Sequence, residues 1–310
     1  LKPGHLFTEG TADSNEVWLE VTVRSGDEII GRSGHRDPGG QVDPWSHFIN
    51  VYMLDREGNR IDRRNAEDIF TPLYNNQIPP GAADTVHFAF HVPGDLQGEI
   101  SIEVKLNYRK FDTTYMRHIQ AEEFERNDLP ITVIASDRIR LPINGDLHQS
   151  AEMDVTIPAW QRWNDYGIGL LRKGGSGELR QAEQAFNRVE ELGYADGPVN
   201  LARVYLREGR LEHASEALHR AAAFDPPAYP WLLAWFSGLV DKQNGELDAA
   251  IDNFIHVLNT DFELARQREF DFSQDYRVIN ELAQTLFEKA KTERGAERLE
   301  ARNQLLREAE

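Results

Sequence analysis

Gly209-Arg-Leu211-Glu-His-Ala214-Ser-Glu-Ala-Leu218-His-Arg-Ala221 decides the reading of the C-terminal half. Its marked residues step by two, three, four and three. The same steps connect Gly245, Leu247, Ala250, Phe254 and Val257. In a third copy, Leu179, Ala182, Phe186 and Val189 follow Gly177 at those intervals. Chemistry accounts for the residue types. A glycine closes one helix in a left-handed turn, and a leucine begins the next. A small alanine lets two helices approach, and the large apolar residue four positions on fills the groove beside it. Spacings of three and four put the marked residues on one helical face. The expected result is a row of antiparallel helix pairs, with Gly174-Gly175-Ser176-Gly177 as the turn inside the first.

The alanines stand 32 and 36 residues apart, bracketing a period of ~34. The preceding helices fit as well, with Trp163, Tyr166-Gly167 and Leu170 before the first pair and Leu201-Ala202 with Tyr205 before the second. Pro226 falls beyond the second pair, and Tyr276–Lys291 with Ala296–Glu308 reads as a more charged capping pair. Over residues 158–309 the chain resembles the tetratricopeptide repeat family, which implies an α-helical solenoid with a concave docking face.

Before about residue 142 the pattern is different. Val17, Leu19, Val21 and Val23 alternate with polar residues, as do Val86, Phe88, Phe90 and Val92, and Ile100, Ile102, Val104 and Leu106. Period two marks half-buried strands. Phe48–Leu54 adds another, and Ile131–Ile134 with Ile139-Leu141 supplies the last strand or two, giving about seven short strands at hairpin spacing. That predicts an antiparallel β-sandwich of immunoglobulin-like size. The expected architecture is therefore α+β in two domains, the sandwich over 1–145 and the repeat solenoid over 158–310. Pro142–Asp146 and Ile157-Pro158 mark the seam.

A second resemblance rests on Gly10–Glu20, Asn50–Asp62, Tyr74–Gly81 and Asn107–Asp112. These strings resemble the C-terminal region of exported multihaem c-type cytochromes, in which a β-domain can precede tetratricopeptide repeats. The resemblance implies export to the periplasm or outside the cell, and a haem protein as a possible partner. Gly4-His5-Leu6-Phe7 is similar to a family segment whose His can ligate haem, and Asn76 stands where many relatives have His. The Cys-x-x-Cys-His haem sites of that family are missing. The chain has no cysteine, which rules out disulfides, thiolate metal sites, cysteine nucleophiles and thioether-linked haem. No cofactor is expected.

The 310 residues carry 34 basic and 52 acidic side chains, a net charge of −18, shared about evenly between the halves. Nucleic acid and anionic lipid both require a basic face, so neither is an expected partner. No run of ~18 apolar residues is present to span a membrane. The opening Leu1-Lys2-Pro3-Gly4 suggests a removed leader or an excerpt of a longer chain. There is no Gly-x-Ser-x-Gly elbow, no His-Glu-x-x-His helix and no phosphate loop, so the chain is expected not to be an enzyme. His87 and His91 would share a strand face but supply too few ligands for zinc. Asp55, Glu57, Asn59 and Asp62 around Gly58 have oxygen-rich spacing that calcium would accept, although a hairpin turn uses the same residues. Asp37–Asp43 has the same ambiguity.

Five residues are candidate contact points. Leu1, Leu6 and Phe7 lie in a terminal stretch that could add to a sheet edge of its own or another copy. Trp231 and Trp235 follow Pro227 and Pro230 in a dense aromatic helix, where they either pack between repeats or mark a partner surface. The expected function is a structural or protein-interaction subunit that binds copies of itself and builds an extracellular filament. The alternative is an accessory docking module of a multihaem cytochrome system.

Overall fold

The computed structural model describes residues 5–8, 14–143 and 156–310. The chain divides into two compact units, Leu1–Thr156 and Ile157–Glu310.

The first unit is built on an antiparallel sheet in the order β2-β1-β5-β6. Its strands are β1 (Glu16–Ser25), β2 (Glu28–Ser33), β5 (Glu99–Arg109) and β6 (Ile131–Pro142). A shorter ribbon pairs β3 (Val51–Leu54) with β4 (Thr71–Asn75). The alternation in β1 does what period two should: Val17, Val21 and Val23 are buried together on one face. Its other face is covered at one end, where Trp18 has no exposure and donates its indole N–H to the Gly34 carbonyl at 3.0 Å. Gly34 has φ +76°, and a Cβ there would stand 2.2 Å from the Leu19 carbonyl oxygen, so no other residue fits. Ahead of β3, Phe48 bridges to Trp18. Helix α1 (Thr113–Gln120) follows β5, with the Asp112 carboxylate capping its start by accepting from the Tyr115 N–H at 2.7 Å.

One sequence expectation needs correcting in this unit. The run Val86–Val92 forms no strand; Phe88, Phe90 and Val92 remain 36–40% exposed. A Cβ on Gly31 of β2 would stand 3.4 Å from that of Phe90, so the run meets the sheet through a side chain, without ladder pairing. Of the one or two strands expected over Ile131–Ile134 and Ile139-Leu141 the structure has one, β6, paired with β5 from end to end.

The second unit is helical: α2 (Ala159–Lys173), α3 (Ser176–Glu191), α4 (Asp196–Glu208), α5 (Leu211–Ala222), α6 (Pro230–Asn244), α7 (Leu247–Leu258), the single turn α8 (Glu263–Arg266), α9 (Tyr276–Thr292) and α10 (Leu299–Ala309). Helices pair consecutively, and each pair buries its marked face. Ala182, Phe186, Val189, Ala214, Ala221, Ala250 and Phe254 all have zero exposure. Gly209 and Gly245 close α4 and α6 in the left-handed conformation, as expected. In the first pair that role belongs to Gly174 (φ +70°), whose N–H is donated to the Leu170 carbonyl at 3.1 Å. Gly177 instead lies in the first turn of α3. The turn between helices is two residues in all three pairs, but α3 begins three residues ahead of Leu179 whereas α5 and α7 begin on their leucines, so Gly177 falls inside the helix.

Candidate functional site

The most built feature among the described residues is a cleft of about 290 Å³ in the first unit, lined by residues from five separated segments. Phe48, Asn50 and Tyr52 form one wall; alternation along the chain into β3 gives them a common face. Tyr74 of β4 stands opposite Tyr52 in the ladder, with ring centroids 5.5 Å apart. Arg60 lies over the Tyr52 ring at 5.0 Å and donates to the Asp112 carboxylate at 2.6 Å. Glu16, Thr113 and Thr114 line the cleft from β1 and α1.

Behind the cleft lies a buried ion pair. Arg109 has no exposure, and its Nε donates to Glu16 Oε2 at 2.8 Å while its Nη2 reaches the same carboxylate. Nη2 also donates to Thr113 Oγ1 at 3.3 Å, and the guanidinium carbon stands 5.9 Å from the Trp18 ring centroid. Burial pushes the Glu16 carboxyl up to about 7, and the opposing pull of Arg109 does not cancel it. Burial also raises the Tyr74 phenol. Asn50 is 95% buried, and its side-chain oxygen receives no hydrogen bond.

The residues singled out from sequence lie elsewhere. Leu1 is outside the described residues. Leu6 and Phe7 are half-buried, and Phe7 exchanges both backbone hydrogen bonds with Ile78 of its own chain, at 2.9 and 2.7 Å. Thr8 continues the attachment, donating to the Ile49 carbonyl at 2.8 Å. The segment therefore joins its own fold. Trp231 and Trp235 are half-buried and packed: Trp231 lies 5.2 Å from Phe272 and Trp235 5.8 Å from the fully buried Phe254.

Asp55, Glu57 and Asn59 build a turn. Asp55 Oδ1 accepts from the Glu57 and Asn59 N–H groups, and Oδ2 accepts from the Asn59 amide. The Asn59 hydrogen bonds hold the Asp55 carboxyl below its usual range. Asp62 is paired with Arg63 at 3.0 Å. In the Asp37–Asp43 loop, Asp37 accepts from the Gln41 N–H at 2.8 Å. His87 and His91 are exposed. Asn76 donates its side-chain amide to the Phe48 carbonyl at 3.0 Å. Among the described residues, no three His, Asp or Glu side chains gather as a metal site.

Sequence reasoning missed the cleft as a site. The strings Gly10–Glu20, Asn50–Asp62, Tyr74–Gly81 and Asn107–Asp112 each deliver residues to it. They supply Glu16; Asn50, Tyr52 and Arg60; Tyr74; and Asp112. No family model matches the chain, and no curated protein matches it.

Proposed function

We propose that the chain is a non-enzymatic structural and protein-interaction subunit, exported from the cell, that assembles with copies of itself into an extracellular polymer. In this reading the helical unit is a tetratricopeptide solenoid. Its cap glycines at 174, 209 and 245 recur at intervals of 35 and 36, close to the ~34-residue period of that repeat. The first unit is a β-sandwich of immunoglobulin-like size; burial of Val17 and Trp18 on opposite faces of β1 supports two covering layers there. The resemblance to exported multihaem cytochromes supports export.

One observation carries the interaction reading. β6 is a twelve-residue strand at the sheet edge, beyond the usual three to ten. It is exposed over most of its length, with Val133 and Ile134 at 51% and 39%. Long uncovered edges pair with other strands, and proteins that stay monomeric blunt them. Pairing there also leaves the terminal segment where it is, on Ile78.

The test is the double variant Val133→Lys/Ile134→Lys, sized by chromatography with light scattering in moderate salt. Both positions are exposed, so folding stability should change by only ~0.5 kcal/mol each. The variant should elute as a monomer where the native chain assembles. Two added lysines move the net charge from −18 toward zero, so lost assembly would not be a repulsion effect. Unchanged assembly would remove β6 as the joint.

A further inference from the structure

We propose that the cleft between β3, β4 and α1 binds one ring of a carbohydrate, a neutral hydroxyl-rich unit seated against Tyr74 and Phe48 and hydrogen-bonded by Asn50, Glu16 and Arg60. The first reason is the orphaned amide. Asn50 lines the cleft, is 95% buried, and has a side-chain oxygen with no donor. Native proteins seldom leave such an atom unpaired, because burial removes its water and returns nothing. Glu16 adds a second acceptor: Arg109 uses Oε2, and no described residue donates to Oε1. Arg60 gives one Nη2–H to Asp112 and keeps other donors for a ligand.

Charge selects among ligand classes. Two guanidinium–carboxylate pairs surround the cleft, Arg109 with Glu16 and Arg60 with Asp112. Above pH 7, where the Glu16 carboxyl is ionised, they leave neither a net negative site for an ammonium group nor a net positive one for phosphate. A hydroxyl group donates and accepts, so it satisfies the Asn50 amide whichever way that amide is turned, and it suits acceptors and donors placed side by side. An ammonium ion donates only, and a phosphate mainly accepts.

Shape agrees with this. At about 290 Å³ the cleft sits at the lower end of the ~300–1,000 Å³ typical of small-molecule sites, enough for a single ring. The aromatic side chains Phe48, Tyr52 and Tyr74 offer apolar faces beside the polar groups. A sugar ring has that dual character, with C–H groups on one face and hydroxyls at the rim. Arg60 already covers the Tyr52 ring, which leaves Tyr74 and Phe48 as the open platform.

The experiment is saturation-transfer NMR on the full chain with millimolar methyl glycosides of the common hexoses and N-acetylhexosamines. Putrescine and inorganic phosphate are run as the charged alternatives. At least one glycoside should show transfer to its ring protons, with affinity changing less than twofold between 50 and 500 mM salt. Asn50→Leu should weaken it at least tenfold without lowering the melting temperature, since the variant removes an unpaired buried polar atom. Tyr74→Ala should weaken it likewise. No transfer from any glycoside, or transfer that survives both variants, overturns the proposal. So does putrescine or phosphate binding in their place that is lost with Asn50→Leu.

Discussion

Gly167→Ala tests the helical packing most sharply, because the structure predicts a sign opposite to helix propensity. Gly167 lies inside α2, where alanine is ordinarily favoured by ~1 kcal/mol. A Cβ there would stand 2.5 and 2.7 Å from Cε1 and Cζ of Phe186, which is fully buried and has nowhere to move. Overpacking of this kind costs ~1–3 kcal/mol and more when the neighbour is held. Less the propensity gain, the expected net loss is up to ~2 kcal/mol. For a unit of this size each kcal/mol moves the melting temperature by ~2–4 °C, so the fall should reach up to ~8 °C. Gly177→Ala is the control, since it also lies in a helix and meets nothing within 4 Å. It should be neutral or gain up to ~1 kcal/mol. Thermal melting followed at 222 nm reports the helices. Phe186→Leu in the Gly167→Ala background should recover part of the loss, measurable as a coupling energy in a double-mutant cycle. If Gly167→Ala and Gly177→Ala behave alike, α2 does not rest on Phe186 as described.

Ala214→Leu, at a crossing with zero exposure, should cost ~1–3 kcal/mol in the same melt; an unchanged midpoint would reject the helix-pair register. Glu16 gives a pH signature. Its folded-state value of about 7 lies above the ordinary 4.5, so the folded chain holds the extra proton between those values. Stability should therefore fall as pH rises from 4.5 through 7, by on the order of 3 kcal/mol for this group, then level off. Glu16→Gln should remove that part of the slope in denaturant titrations at pH 5 and 8. The Asp55 carboxylate is used by its own turn, so millimolar calcium should leave the melting temperature unchanged; a rise abolished by Asp55→Ala would restore the ion site.

The helical half was legible because its signal is local. A residue every three or four positions, a small one at each crossing and a glycine at each cap are all written within one pair. Gly177 was misplaced because α3 begins three residues ahead of Leu179, which leaves the spacing from Leu179 onward undisturbed. In the first half, alternation says which side chains share a face and is silent on whether a ladder partner exists. Val86–Val92 therefore looked like Val17–Val23 and formed no strand. For β6 the alternation left one strand or two open, because Ala135-Ser-Asp-Arg138 breaks the apolar pattern; pairing of its backbone with β5 makes it one. Helix α1 is eight residues long and opens on Thr113-Thr114, poor helix formers held by the Asp112 cap. The cleft left no spacing signature because its residues run from Asn15 to Thr114 across five segments. Chain topology alone brings Glu16 to Arg109, a separation of 93 residues.

Self-assembly is the central claim, and the mass of the intact chain in solution tests it most directly. Light scattering in moderate salt, where repulsion between subunits of charge −18 is screened, should give particles far above 35.4 kDa whose mass grows with concentration. Electron microscopy of the same sample should show filaments. A constant 35.4 kDa across concentration and salt would contradict the account.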